Sequence, residues 1–94
     1  MKKQNKNPIR VGNTVFIRTV TLYYTGRVVE VGPREIVLEQ AAWIADTRRF
    51  SESMATGKFA EVEPYPDNQR VAVGRGAIVD ASDWPHPLPR KTIS

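Results

Sequence analysis

The sequence predicts a small all-β protein whose short strands bend strongly into a barrel. Residues 14–40 contain three apolar, β-branched segments, which are separated by turn signals at Thr25 and Gly26 and at Gly32 and Pro33. Val, Ile, Thr and Tyr favour extended backbone, and Gly permits tight connections between antiparallel strands. We expect about five or six strands, with one short helix inserted at about residues 48–56.

The first predicted strand covers residues 15–24, and both of its alternating faces carry apolar side chains. We therefore expect burial on both sides over part of its length, with Tyr24 at the tip of the first hairpin. Residues 27–31 and 35–40 are the second and third predicted strands. The segment AAWIAD that follows either extends the third strand or leads into the helix, and Trp43 is expected in the core among its apolar neighbours.

The predicted helix has Thr47 as its N-cap and ends at Gly57, because Thr side chains cap free N–H groups and Gly adopts left-handed backbone readily. Phe50 and Met54 then share one helical face. Further strands are expected at residues 59–63, 69–73 and 77–80. A tight turn at Gly74, Arg75 and Gly76 separates the last two of these strands.

The 94-residue chain is long enough for one domain. We expect a disordered basic tail at residues 1–10, a single barrel domain at 11–83 and an extended Pro-rich arm at 84–94. Four basic side chains lie in residues 1–10 and two in 90–94, which leaves eight basic and ten acidic side chains in between. The net charge of +4 therefore resides in the tails, and the body is net acidic.

The composition excludes several chemical classes. The chain has no Cys and a single His, so disulfides and Cys- or His-based metal sites are excluded, and we predict no metal and no cofactor. Ser82, Asp83 and His86 share one short Pro-broken segment, which does not place a nucleophile for catalysis. We predict a non-enzymatic protein with no catalytic residues. No apolar run approaches the ~20 residues that span a bilayer, so we expect a cytoplasmic protein with no membrane partner.

The strongest predicted binding feature is a phosphate site at the start of the helix. A helix N-terminus attracts anions, and a bound phosphate would offset the unfavourable position of Arg48 and Arg49 in the first turn. Alternatively, these arginines pair with Glu side chains or with a neighbouring subunit. An Arg on a Gly turn can also project into a pocket, and an exposed Tyr can stack on a base. The predicted ligand-binding residues are Arg48, Arg49, Arg75, Tyr24, Arg27 and Thr47.

Two segments resemble the Sm motifs of Sm-like RNA-binding proteins. Residues 15–38 contain an apolar strand, a Gly that enters a bent second strand, and an apolar third strand; residues 73–79, VGRGAIV, are similar to the second motif. The resemblance implies an SH3-like or Sm-like barrel, assembly into a ring or another symmetric homo-oligomer, and binding of short RNA or nucleotides. The chain departs from the pattern in its long, helix-containing insert and in the Gly-Pro-Arg sequence that follows the second strand.

The chain as a whole also resembles a family of small phage and prophage proteins. The matching segments are WIADT at 43–47, RF at 49–50, EVEP at 61–64, GRGAIVD at 74–80 and WPHPLP at 84–89. This resemblance implies a viral origin and a location in the host cytoplasm. We expect an oligomer that binds a phosphate-bearing nucleotide and sequesters a host-defence signal. The alternatives are a phage structural or assembly adaptor, which would be present in virions, and an Sm-like RNA-binding protein.

Overall fold

The computed structural model describes residues 6–94, and within this range the chain forms a six-stranded antiparallel sheet and one α-helix. The predicted all-β class is confirmed. The first half of the predicted disordered tail, residues 1–5, lies outside the described residues. The elements in chain order are β1 (Thr14–Thr19), β2 (Tyr23–Val31), β3 (Glu35–Asp46), α1 (Phe50–Thr56), β4 (Glu61–Pro64), β5 (Val71–Gly74), a 3₁₀ helix (Arg75–Ala77) and β6 (Ile78–Asp83).

β3 is the central strand of the sheet. It pairs with β2 along one edge, and along the other edge with β5 through residues 35–38 and with β4 through residues 42–46. β1 joins β2 to β6, so the strand order is β4-β3-β2-β1-β6. No ladder joins β5 to β6 within residues 6–94. Closure into an SH3-like or Sm-like barrel therefore stays a prediction.

The first hairpin turns earlier than the sequence predicts. The prediction of a turn at Thr25 and Gly26 is wrong, because the chain reverses at residues 20–22 and both positions lie inside β2. The Thr19 hydroxyl builds this turn: it donates to the Leu22 carbonyl at 2.6 Å and accepts the Leu22 N–H at 3.1 Å. Gly26 instead lies beside the bulge of β2, where a Cβ would come within 3.1 Å of Leu38.

The segment AAWIAD extends β3 as a strand, which decides between the two sequence alternatives. Gln40 has a φ of 52°, and the alternation of the strand is interrupted there, so that Ala41 and Ala42 are both buried. Ala42 and Ile44 are buried on one face of the sheet, and Trp43, which lies between them, points to the opposite face. The prediction of Trp43 as a core residue is wrong, since it is 43% exposed.

The sheet is covered by apolar side chains on both faces, as predicted for its first strand. The first core consists of Val15, Ile17, Val28, Ile36, Leu38, Ala41 and Val73. The second core consists of Phe16, Ala42, Ile44, Phe59, Val62 and Trp84. Ile9 packs against the first core, so the chain is already in contact with the sheet before β1 begins.

The helix begins two residues later than predicted, and the prediction of Thr47 as its N-cap is wrong. The N-cap is Arg49, which makes no side-chain capping hydrogen bond. The Thr47 hydroxyl instead donates to the carbonyl of Arg48 at 2.9 Å, and Arg48 itself has left-handed backbone with a φ of 70°. Gly57 ends the helix in the left-handed region as predicted, and its N–H donates to the Ser53 carbonyl at 2.8 Å.

The C-terminal arm, residues 84–94, docks on the second core of its own chain. Trp84 is buried and stacks on Phe59, with ring centroids 5.1 Å apart and planes 12° apart. The His86 Nε2–H donates to the Met54 carbonyl at 2.8 Å. The arm ends in a backbone bridge between Ile93 and Val62. Arg90 fixes the middle of the arm through the Tyr65 carbonyl and the Asp67 carboxylate.

We predict that Thr25→Val stabilises the protein. Thr25 is fully buried in β2, and its hydroxyl has no hydrogen-bond partner within the described residues. An unpaired buried polar group is destabilising, so the substitution should raise the free energy of unfolding by about 1 kcal/mol. Urea denaturation measures this change. Thr25→Ser retains the hydroxyl and should be less stable than the wild type; a Thr25→Val variant that unfolds more easily would contradict the assignment.

We predict that Gly57→Ala loosens the arm. Gly57 has a φ of 76°, and a Cβ there would lie 2.5 Å from Cγ of His86. The combined backbone strain and clash should lower the free energy of unfolding by about 2–3 kcal/mol. Gly74→Ala is the matched control, because nothing lies within 4 Å of its Cβ position and its φ is −65°. Equal stability of the two variants would show that the arm does not dock against Gly57.

Candidate functional site

Three of the predicted ligand-binding residues, Thr47, Arg48 and Arg49, lie together in the connection between β3 and α1. The Arg48 N–H donates to the Asp46 carboxylate at 3.0 Å, so one of the N–H groups expected for phosphate is already used. α1 spans only seven residues. A helix this short supplies a weak dipole, and the cationic side chains are the remaining attraction for an anion here.

Arg75 lies at the opposite end of β3 from this connection. Its neighbour Gly74 pairs with Glu35 at the start of β3, whereas Arg48 follows the end of that strand. The Arg75 guanidinium donates to the Gly32 carbonyl at 2.9 Å and so ties the 3₁₀ helix to the turn between β2 and β3. The structure therefore does not bring Arg75 together with Arg48 and Arg49.

Arg27 and Tyr24 both lie within β2. Arg27 is half-buried and pairs with Thr14 on one side and Glu39 on the other, away from the α1 connection. The prediction that Tyr24 lies at the tip of the first hairpin is wrong, because Tyr24 lies within β2 and packs against the first core. Burial raises the pKa of the Tyr24 hydroxyl, with a smaller contribution from Tyr65, so this phenol stays neutral at physiological pH.

A depression of about 390 Å³ lies between the C-terminal arm and the connection that leads from α1 to β4. We call it the arm cleft; it is lined by Arg48, residues 57–59, residues 87–89 and Ile93. Phe59, Leu88 and Ile93 supply an apolar lining, and Arg48 and Lys58 supply two positive charges. Of the predicted ligand-binding residues, Arg48 lines the arm cleft.

The two cations of the arm cleft have no anionic partner in the described part of the chain. Within residues 6–94 four ion pairs form, Arg10–Asp83, Arg18–Asp80, Arg70–Glu39 and Arg90–Asp67. The side chains of Arg48 and Lys58 make no ion pair or hydrogen bond in that part of the chain, and both residues are exposed. Lys58 was not predicted from the sequence, because its relation to Arg48 depends on the fold of α1 and the arm.

A second depression, of about 530 Å³, lies beside the first hairpin. We call it the Trp43 cleft; it is lined by residues 19–23 and 43–45, and none of these side chains is charged. β2 begins at Tyr23, which pairs with Ile44, so the following β3 residue, Ala45, has no partner in β2. The cleft lies beside this end of β3, where β2 no longer flanks the strand.

The indole of Trp43 is held in a defined orientation. Its Nε1–H donates to the Tyr65 hydroxyl at 3.1 Å, and the two rings meet edge to face with planes 86° apart and centroids 6.4 Å apart. A large aromatic ring that is fixed and yet partly exposed is typical of a recognition surface. Its contact with Tyr65 joins β3 to the segment after β4, a pairing that sequence spacing does not reveal.

Within the described residues, no group of three or more His, Cys, Asp and Glu side chains could hold a metal ion. In the same range, no helix is long and apolar enough to cross a membrane. The carboxylate of Asp80 is engaged by Arg18, whose guanidinium lowers the pKa of that carboxyl. His86 is engaged by the Met54 carbonyl and by edge-on contact with Trp84.

Comparison of the chain with protein-family models, curated proteins and solved structures finds no match. The resemblances to Sm-like proteins and to phage proteins therefore stay predictions from the residues quoted above. The geometry of the two clefts is the basis on which a function can be proposed.

Proposed function

We propose that this protein is a non-enzymatic binding protein that holds a phosphate-bearing nucleotide in the arm cleft. The observation that carries the proposal is a pair of cations, Arg48 and Lys58, that have no ion-pair partner within residues 6–94 and line a concave, largely apolar surface. Charge-assisted hydrogen bonds from such cations to phosphate are stronger than those between neutral groups. Arg in particular matches the geometry of phosphate oxygens.

The apolar lining of the arm cleft complements the rest of such a ligand. Phe59 belongs to the second core and Leu88 packs against it, so the sheet holds this apolar side of the cleft in place. Pro87 and Pro89 have restricted backbones and lose little entropy when a ligand binds. An organic phosphate fits these surfaces better than inorganic phosphate alone, because its apolar body would displace water from them.

The proposal extends to the biological role. The resemblance to phage and prophage proteins suggests that the ligand is a nucleotide signal of host defence, which the protein sequesters. Sequestration needs binding without turnover, and this suits a cleft formed by cations and apolar groups. Incubation with a nucleotide panel followed by mass analysis of the released ligand should return each bound nucleotide unchanged.

We predict that removing the two cations abolishes nucleotide binding. Isothermal titration calorimetry with a panel of mono-, di- and cyclic nucleotides should identify at least one ligand of the wild type. Each of Arg48→Ala and Lys58→Ala should weaken its binding roughly tenfold or more, because a hydrogen bond to a charged group contributes about 1.5–3 kcal/mol. Both side chains are exposed, so the fold should tolerate the changes.

Arg34→Ala is the matched control for charge. Arg34 is exposed, makes no ion pair within residues 6–94 and lies at the turn between β2 and β3, away from the arm cleft. The Arg34→Ala substitution should leave the affinity for the nucleotide nearly unchanged at physiological ionic strength. If Arg34→Ala weakened binding as much as Arg48→Ala does, the attraction would be unspecific and the proposed site would be wrong. Absence of binding by every nucleotide in the panel would overturn the function.

The proposal includes a symmetric homo-oligomer. The outer edges of β5 and β6 carry no ladder within the described residues, and such edges are available to pair with another copy. We predict that native mass spectrometry of the purified protein shows one multimeric species, together with any nucleotide that co-purifies. A strictly monomeric protein at micromolar concentration would contradict this part of the proposal and leave the binding site unaffected.

A further inference from the structure

The last part of the C-terminal arm, residues 87–94, forms one side of the arm cleft although little of its backbone is bonded to the sheet. We call this segment the strap. The lining residues that it contributes are Pro87, Leu88, Pro89 and Ile93. Within residues 6–94 the strap joins no ladder, and its one bridge to the sheet is the pair of Ile93 and Val62. Segments with few backbone hydrogen bonds open locally at a lower free energy than the whole domain.

The residues that precede the strap are firmly attached. Trp84 is buried in the second core, and its Nε1–H donates to the Pro87 carbonyl at 3.3 Å. His86 lies against Gly57 and donates to the Met54 carbonyl at 2.8 Å. An opening movement of the arm therefore begins after His86 and leaves the stacked rings of the second core in place.

Arg90 is the main polar attachment of the strap. Its guanidinium donates to the Asp67 carboxylate at 2.6 and 2.9 Å, to the Tyr65 carbonyl at 2.7 Å and to the Ala41 carbonyl at 3.3 Å. One side chain thus fastens the strap both to β3 and to the segment that follows β4. The planar guanidinium, with its several N–H groups, suits this set of acceptors, whereas a Lys ammonium at the same position does not match it.

We infer that the strap closes and opens one side of the arm cleft, so that nucleotide binding and strap docking are coupled. This inference rests on the proposed function, and it adds how the same site is regulated. A nucleotide that contacts Leu88 and Ile93 as well as Lys58 is fully bound only while the strap is docked. Binding therefore stabilises the docked state, and release requires the strap to open. Arg90 sets how often the strap opens.

The backbone amide of Val62 reports the state of the strap. Its N–H donates to the Ile93 carbonyl at 2.8 Å, so this amide becomes free to exchange with solvent when the strap leaves β4. The amide of Ala60, two residues earlier, donates to the Asp46 carbonyl at 2.9 Å and involves no strap residue. Comparison of the two exchange rates therefore separates opening of the strap from fraying of the neighbouring chain.

The test is amide hydrogen exchange of the full chain, followed by ¹H–¹⁵N correlation spectroscopy. Arg90→Ala should raise the exchange rate of Val62 roughly tenfold or more and leave that of Ala60 nearly unchanged, because the strap loses its charge-assisted hydrogen bonds. Arg90→Lys, which retains the charge, should also raise the Val62 rate. Arg70→Ala is the matched control, since it removes an arginine that is paired with Glu39 and lies outside the arm.

The same experiment with ligand tests the coupling. Adenosine 5′-monophosphate, or a nucleotide of the panel that binds more tightly, should slow the exchange of Val62 by up to about 100-fold at a free concentration of about 100 times its dissociation constant. The exchange of Ala60 should slow much less.

The outcomes separate the coupling from the binding site. Nucleotide binding that leaves the Val62 exchange rate unchanged would overturn the coupling and retain the arm cleft as the site. Val62 exchange as slow as that of the slowest β3 amides would also overturn it, because the strap would then open only when the whole protein unfolds. If no nucleotide binds, the proposed function fails, whereas selectively faster Val62 exchange in Arg90→Ala still supports an opening strap and its absence overturns it.

Discussion

The stacking of Trp84 on Phe59 and Phe16 is the interaction on which the rest of the structure depends. The ring centroid of Phe16 lies 5.9 Å from that of Phe59 and 5.8 Å from that of Trp84. The three rings therefore join β1, the α1–β4 connection and the arm in one cluster. Without it, the second face of the sheet would be exposed to water. The arm cleft exists because this cluster holds the arm against the connection that carries Lys58, and a small domain has little stability elsewhere to replace it.

The all-β class and the number of strands could be predicted from the sequence because β-branched residues and turn formers alternate in short segments. The position of the first turn could not be predicted in this way. Thr19 forms the turn through hydrogen bonds with Leu22, whereas Gly26, a residue type that is common in turns, lies inside β2. A glycine suits position 26 for a different reason: a Cβ there would come within 3.1 Å of Leu38. The exposure of Trp43 depends on the left-handed backbone at Gln40, which no local pattern indicates.

The candidate site was predictable only in part. Arg48 was predicted as a ligand residue from its place in the first turn of the helix, whereas the structure places it before α1, where it lines the arm cleft together with Lys58. Arg75, Arg27 and Tyr24 were selected by local context. Arg75 and Arg27 lie beside the first half of the 12-residue β3, far from its end at Asp46, and Tyr24 packs against the first core, on the face opposite the arm. Local sequence patterns do not show which distant residues the fold brings to one surface, as it brings Lys58 and the arm to the arm cleft.

The central claim is that the arm cleft binds a nucleotide through Arg48 and Lys58. Chemical-shift mapping by ¹H–¹⁵N correlation spectroscopy tests it most directly, with adenosine 5′-monophosphate added to the labelled full chain. We predict shifts concentrated at the amides of Arg48, Lys58 and Phe59, which line the arm cleft. Shifts confined to the region around Arg75, or scattered over basic residues at both ends of the chain, would contradict it.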